Sequence, residues 1–191
     1  MKDRIQKALD ESVKVKQEFV RQCADGLIQV AEQITRAFTG DRKLLLCGNG
    51  GSAADAQHIA AEFVNRFMME RPPLPAVALT TDTSVLTSIG NDYAFDQVFS
   101  KQVKAIGNDG DVLVAISTSG NSPNVIQAVE AGKTQGLFTV GLAGGDGGRL
   151  GQAADLTLTV RSKVAARVQE THIFAGHVLC QMVDEMLFPA G

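Results

Sequence analysis

His58 and Glu62 bring an imidazole and a carboxylate four residues apart. On a helix that spacing puts both side chains on one face. Together they can hold a metal ion or move protons. Taken singly, such residues are ordinary: a helical Glu is usually a solvated acid, and a lone His a packed or exposed ring. Their position is what matters, a turn or two beyond Gly48-Asn49-Gly50-Gly51-Ser52. A Gly-rich turn that opens a helix leaves backbone N–H groups and the positive end of the helix dipole free for an anion.

A second segment of the same kind is Ser117-Thr118-Ser119-Gly120-Asn121-Ser122. Its hydroxyls add donors to the free backbone groups. Either segment alone could be a tight turn rich in turn formers. Two in one chain, with four hydroxyls in the second, point to a phosphate cradle. No Walker A pattern occurs, because the first loop lacks the Lys. A cradle of hydroxyls without a cation suits a small monophosphate ester. Gly48-x-Gly50-x-x-Ala53 also matches part of a dinucleotide fingerprint. That motif wants an acid ~20 residues on, at the end of the next strand. Arg71-Pro72-Pro73 occupies that distance, and the nearest candidate is Asp82.

The other histidines, His172 and His177, lie five residues apart near the C-terminus, with Gln169 just before them. On a helix they face different ways, so at most one joins a common site. Asn91-Asp92 reads as turn chemistry in a loop.

These residues need a scaffold, and the hydrophobic pattern supplies one. Residues 2–22 and 25–38 read as two helices, the second ending at Gly40. Short apolar runs at 43–47, 75–79, 111–116, 137–142 and 155–160 read as buried strands. Helices are expected at 52–66, near 82–89, at 123–135 and at 165–187. Strands alternating with helices imply a parallel sheet covered on both faces. The expectation is an α/β fold of one domain over residues 1–191, a five-stranded parallel sheet sandwiched by helices, with two extra N-terminal helices. In such sheets ligands bind beyond the carboxyl ends of the strands, where both loops fall.

Composition narrows the class further. The chain has 191 residues, 45% hydrophobic and 20% charged, with a net charge of −3. That is the profile of a folded globular protein. The densest basic stretch, Arg161 to Arg167, is interrupted by Val164, Ala165 and Ala166, so nucleic-acid binding is not expected. Cys23, Cys47 and Cys180 are odd in number and widely spaced, which argues against disulfides and fits a cytoplasmic protein. Met1-Lys2-Asp3-Arg4 leads into a mixed-charge segment without the apolar core of a signal peptide. No apolar run approaches the ~18 residues of a membrane span.

The second loop resembles the phosphate loop of SIS (sugar isomerase) domains. Gly48 to Ser52 with His58 and Glu62, Gly90-Asn91-Asp92, and Arg167-Val168-Gln169-Glu170-Thr171-His172 with His177 resemble the phosphoheptose isomerase branch. The resemblance spans essentially the whole chain. It implies a SIS-type, flavodoxin-like three-layer domain and a homotetramer that converts sedoheptulose 7-phosphate to D-glycero-D-manno-heptopyranose 7-phosphate. That is the entry to ADP-heptose for the lipopolysaccharide core or related glycans. It also implies one zinc per subunit at His58, Glu62, Gln169 and His177. The substrate contacts it implies are Asn49, Gly50, Gly51, Ser52, Glu62, Asn91, Asp92, Ser117, Thr118, Ser119, Ser122 and Gln169. Glu62 would be the base and His177 its partner acid. Some members carry an Asp where this chain has Ala166, so no catalytic role attaches there. A second branch of similar proteins binds the replication initiator and can lack an acid at the Glu62 position. Glu62 therefore favours the enzyme over that alternative.

Overall fold

The apolar runs become the five strands of one parallel sheet in the computed structural model, which describes residues 1–189. The strands are β1 Leu44–Gly48, β2 Ala76–Ala78, β3 Val112–Ser117, β4 Phe138–Gly144 and β5 Leu156–Val160. Their order is β2-β1-β3-β4-β5. The register sets Leu44 beside Ala76 on one side and Val112 on the other, and continues with Val112 beside Phe138 and Val140 beside Leu156. The helices are α1 Lys2–Thr39, α2 Gly51–Val64, α3 Thr83–Asp92, α4 Val98–Ile106, α5 Pro123–Thr134, α6 Leu150–Ala153 and α7 Ala165–Leu187.

β1 and β3 are buried at every position, as strands covered on both faces must be. Alternate residues divide between two cores. Leu44, Leu46, Val112, Val114, Ile116, Val140 and Leu142 pack under α1, α2 and α7. Leu45, Cys47, Leu113 and Ala115 face α4 and α5. Each fully buried Leu or Val contributes roughly 1.5–3 kcal/mol relative to exposure.

The expected pair of N-terminal helices is a single helix. The break expected between residues 22 and 25 does not occur, and Gly26, just beyond it, serves packing. A Cβ on Gly26 would lie 2.7 Å from the Leu158 side chain, so its absence lets α1 sit down on β5. From Phe19 onward α1 buries Leu27, Val30, Ala31, Ile34 and Ala37. Two further differences lie between β2 and β3. The short helix near 82–89 extends through Asp92, capped at its start by Asp82 accepting from the Val85 N–H at 2.9 Å. Asn91 and Asp92 therefore lie on its last turn, not in a loop. A 3-10 turn at Phe95–Gln97 then leads into α4, which buries Val98, Phe99 and Val103.

The topology fixes where ligands can enter. The chain leaves β1 toward β2 on one side, and β3 lies on the other. The sheet reverses its order between β1 and β3, and the loops following these two strands open a crevice there. Among the described residues no helix is long and apolar enough to cross a membrane.

Candidate active site

Both loops stand side by side at this reversal, and one side-chain pair joins them. Asn49 and Asn124 exchange two amide hydrogen bonds, each 2.9 Å, with Asn124 buried on the first turn of α5. In the first loop, Gly50 caps α2 with φ +57, the left-handed region that favours glycine. Gly48 has no room for a side chain, since a Cβ would lie 2.7 Å from the Ser52 carbonyl oxygen. Ser52 is buried, and its N–H donates to the Asn49 carbonyl at 3.0 Å.

In the second loop the hydroxyls cluster. Ser117 Oγ lies 2.9 Å from Ser122 Oγ and 3.4 Å from Ser119 Oγ. The Asn121 N–H donates to Ser119 Oγ at 3.1 Å. Ser122 is the N-cap of α5 but makes no side-chain capping bond, and Pro123 follows at the first helical position. Hydroxyls therefore gather at the start of α5, an arrangement suited to a phosphoryl group.

α2 and α7 carry His58, Glu62 and His177. They run side by side: Gly51 meets Gln169, and about two turns further on His58 meets His177. The approach is close because Gly176 lacks a side chain; a Cβ there would lie 2.5 Å from Ile59 Cδ1. His58 Nε2 is 3.0 Å from Glu62 Oε1 and 3.3 Å from His177 Nε2. The Phe67 ring stacks on His177 at 5.4 Å between centroids.

This corner has an excess of lone pairs. If His58 Nε2 donates its proton to Glu62, His177 Nε2 still faces it at hydrogen-bond distance, and one ring proton serves two acceptor atoms. A cation resolves this. Two ligands ~2.0–2.1 Å from a tetrahedral zinc lie ~3.3 Å apart, and two imidazoles with a carboxylate are a known zinc donor set. The three ligand atoms lie within 4.8 Å of one another, so the residues fit a metal ion.

Gln169 is not part of this corner within one chain. Its amide lies against Gly51, where a Cβ would collide with it. It stands roughly 12 Å along α7 from His177. His172 points elsewhere: it is fully buried, its Nε2 donates to the Ala143 carbonyl at 3.2 Å, and burial lowers its pKa to about 4. Asn91 donates to Asp92 at 2.9 Å on exposed surface, and among the described residues neither bonds to either loop. Thiol chemistry has no place here, because burial pushes Cys47 and Cys180 up to about 12.

The structure adds residues that the sequence reading passed over. Asn124 fixes the two loops to each other, a pairing across 75 positions that no local pattern reveals. Arg71, also buried, donates through its guanidinium to the Phe63 carbonyl at 2.6 Å, to the Glu62 carbonyl at 2.8 Å and to Asp184 at 2.9 Å. It closes the C-terminal end of α2, where free carbonyls favour a cation, and ties that end to α7. Asp55, one turn before His58, keeps a buried oxygen without a partner. Burial raises its pKa, with the charge of His58 acting the other way.

The SIS domain family model matches residues 9–144. A phosphoheptose isomerase of Nitratidesulfovibrio vulgaris (strain DSM 19637 / Miyazaki F) is 56% identical, covering 93% of this chain and 86% of that protein. The chain belongs to the phosphoheptose isomerase family of SIS-domain proteins. Solved structures agree. A phosphoheptose isomerase from Neisseria gonorrhoeae matches with a TM-score of 0.91 and 48% identity, covering 96% of this chain and 98% of that one. One from Francisella tularensis matches with a TM-score of 0.92 and 39% identity, covering 96% and 97%. Nothing in these relatives favours the initiator-binding alternative.

Proposed function

We propose that this family member isomerises sedoheptulose 7-phosphate to D-glycero-D-manno-heptopyranose 7-phosphate, the first step toward ADP-heptose. The observation that carries the reading is the pairing of a hydroxyl-lined anion cradle with the His58–Glu62–His177 corner, in a chain about half identical to phosphoheptose isomerases along most of its length.

The second loop binds the phosphoryl group through Ser117, Thr118, Ser119, Ser122 and the start of α5. Asn49, Gly50, Gly51 and Ser52 line the adjoining wall and orient the sugar chain. Glu62 removes a proton from C1 of the ketose and returns one to C2, through an enediol. His177 exchanges protons with the two oxygens, so the carbonyl moves from C2 to C1 with no net gain or loss of atoms. Near neutral pH a carboxylate suits this return trip, since it can both take and give the proton. His58, Glu62 and His177 would hold one zinc per subunit. When bound, the ion polarises the carbonyl and offsets the charge that builds on oxygen.

Gln169 belongs to the same site by an intersubunit route. We place it as the contribution of one subunit to the corner of another in a homotetramer, because its own chain keeps it against Gly51. Asn91 and Asp92, exposed in the isolated chain, reach substrate by the same route. The one-domain protein acts in the cytoplasm.

The reading is tested by turnover of purified protein on sedoheptulose 7-phosphate beside hexose and pentose phosphates. Preferential conversion of the heptulose supports it. Equal or better conversion of a shorter sugar phosphate would reassign the substrate.

A further inference from the structure

The second loop offers only neutral donors, yet a phosphate monoester carries about −1.5 to −2 charge at pH 7. A cation is missing from the cradle as the sequence presents it. The structure supplies one from a distant part of the chain. Beside the loop lies a cavity of about 330 Å³. Its lining brings Thr118 and Ser119 of the loop together with Gly145 and with Ser162, Lys163 and Ala165.

Lys163 lies in the short turn between β5 and α7, and that turn is held firmly. The Ser162 N–H donates to the Val160 carbonyl at 2.7 Å. The Ser162 carbonyl accepts from the Gly145 N–H at 3.2 Å, and its hydroxyl accepts from the Val164 N–H at 3.2 Å. The backbone of Lys163 is thereby fixed against the Gly-rich loop after β4, while its side chain is exposed. Among the described residues Lys163 makes no ion pair. The nearby acid, Asp146, is exposed and accepts from the Gly148 N–H at 3.0 Å. α7 begins at Ala165, which lines the same cavity, and its N-cap, Val164, has no side-chain capping bond. The first N–H groups of a 23-residue helix therefore add partial positive charge beside the lysine.

We propose that Lys163 supplies the counter-charge for the substrate's phosphoryl group, so that the phosphate site is two-sided, with the Ser117–Ser122 loop facing the β5–α7 turn. This rests on the reading of that loop as the phosphate cradle. A lysine suits the task as a mobile point charge that needs no fixed fork geometry. It binds a part of the substrate far from the reacting carbons, so its effect falls on binding and not on the chemical step.

The test compares Lys163→Met, Lys163→Arg and Ser119→Ala with the parent protein. Inorganic phosphate binding is measured by calorimetry, and kcat and KM are measured on sedoheptulose 7-phosphate. For Lys163→Met, phosphate affinity should fall and KM rise by about tenfold, the lower range for one charge-assisted hydrogen bond. The salt dependence of both should flatten, kcat should stay within about twofold, and Lys163→Arg should restore most of the affinity. If Lys163→Met binds phosphate and substrate as the parent does while Ser119→Ala binds them weakly, the lysine has no such role and the cradle stands. If neither substitution weakens phosphate binding, the cradle itself is misplaced and the inference falls with it.

Discussion

Mixing two inactive variants tests whether the site is shared between chains. Gln169 and His177 are eight residues apart on one unbroken helix. That is ~12 Å along the axis and ~80° around it, whereas one zinc holds its ligand atoms ~2.0–2.3 Å away. No bend relieves this, because α7 runs continuously from Ala165 to Leu187. Gln169→Ala and His177→Ala should each be inactive. Unfolded together in equal amounts and refolded, they assemble at random. An intact site then needs Gln169 from a His177→Ala chain and His177 from a Gln169→Ala chain. Each choice is made half the time, so about one quarter of parental activity should return in a symmetric oligomer. The assay is turnover of the refolded mixture, with each variant refolded alone as control and hybrids verified by mass. Hybrids that form but remain as inactive as their parents would refute the shared arrangement.

Other expectations follow from single groups. Glu62→Gln keeps the shape and removes the base, so turnover should drop at least ~100-fold in a folded protein, measured by steady-state kinetics. Metal analysis should find about one zinc per chain, and chelation should remove both the zinc and part of the activity; fully active protein without a transition metal would end the metal proposal. His172 makes stability pH-dependent. Its pKa is lowered to about 4 in the folded chain against an ordinary 6.5, so the unfolded state takes up the proton first as pH falls. The stability held above pH 6.5 should decline toward pH 4, by about 3 kcal/mol at most. Denaturant titrations of parent and His172→Gln should show the variant with the shallower slope in that window.

Much of this architecture is written in local pattern. Fully buried strands such as Leu44–Gly48 and Val112–Ser117 are short apolar runs, and the two loops carry their turn chemistry on their face. His58 and Glu62 are legible because a helix makes neighbours of residues four apart. What stays hidden depends on contacts remote in sequence. The purpose of Gly26 within a helix shows only once Leu158 is seen beneath it. α4 is short, and its buried Val98, Phe99 and Val103 gain meaning only against the second core. Asn124 follows an ordinary helix-opening proline, and its partner lies on another strand's loop. Arg71 sits in a Pro-rich linker and acts on α2 and α7 at once. Lys163 looks like a surface charge until the β5–α7 turn is folded back beside the second loop.

The central claim is that Glu62 carries a proton between neighbouring carbons of a heptulose phosphate. Isomerisation of sedoheptulose 7-phosphate in D2O, followed by proton NMR, tests it most directly. The Glu62 side chain is 24% exposed, so exchange with solvent competes with return of the original proton. The account predicts an aldose 7-phosphate carrying deuterium at C2, and none formed by Glu62→Gln at comparable times. Deuterated product formed equally fast by Glu62→Gln would contradict it.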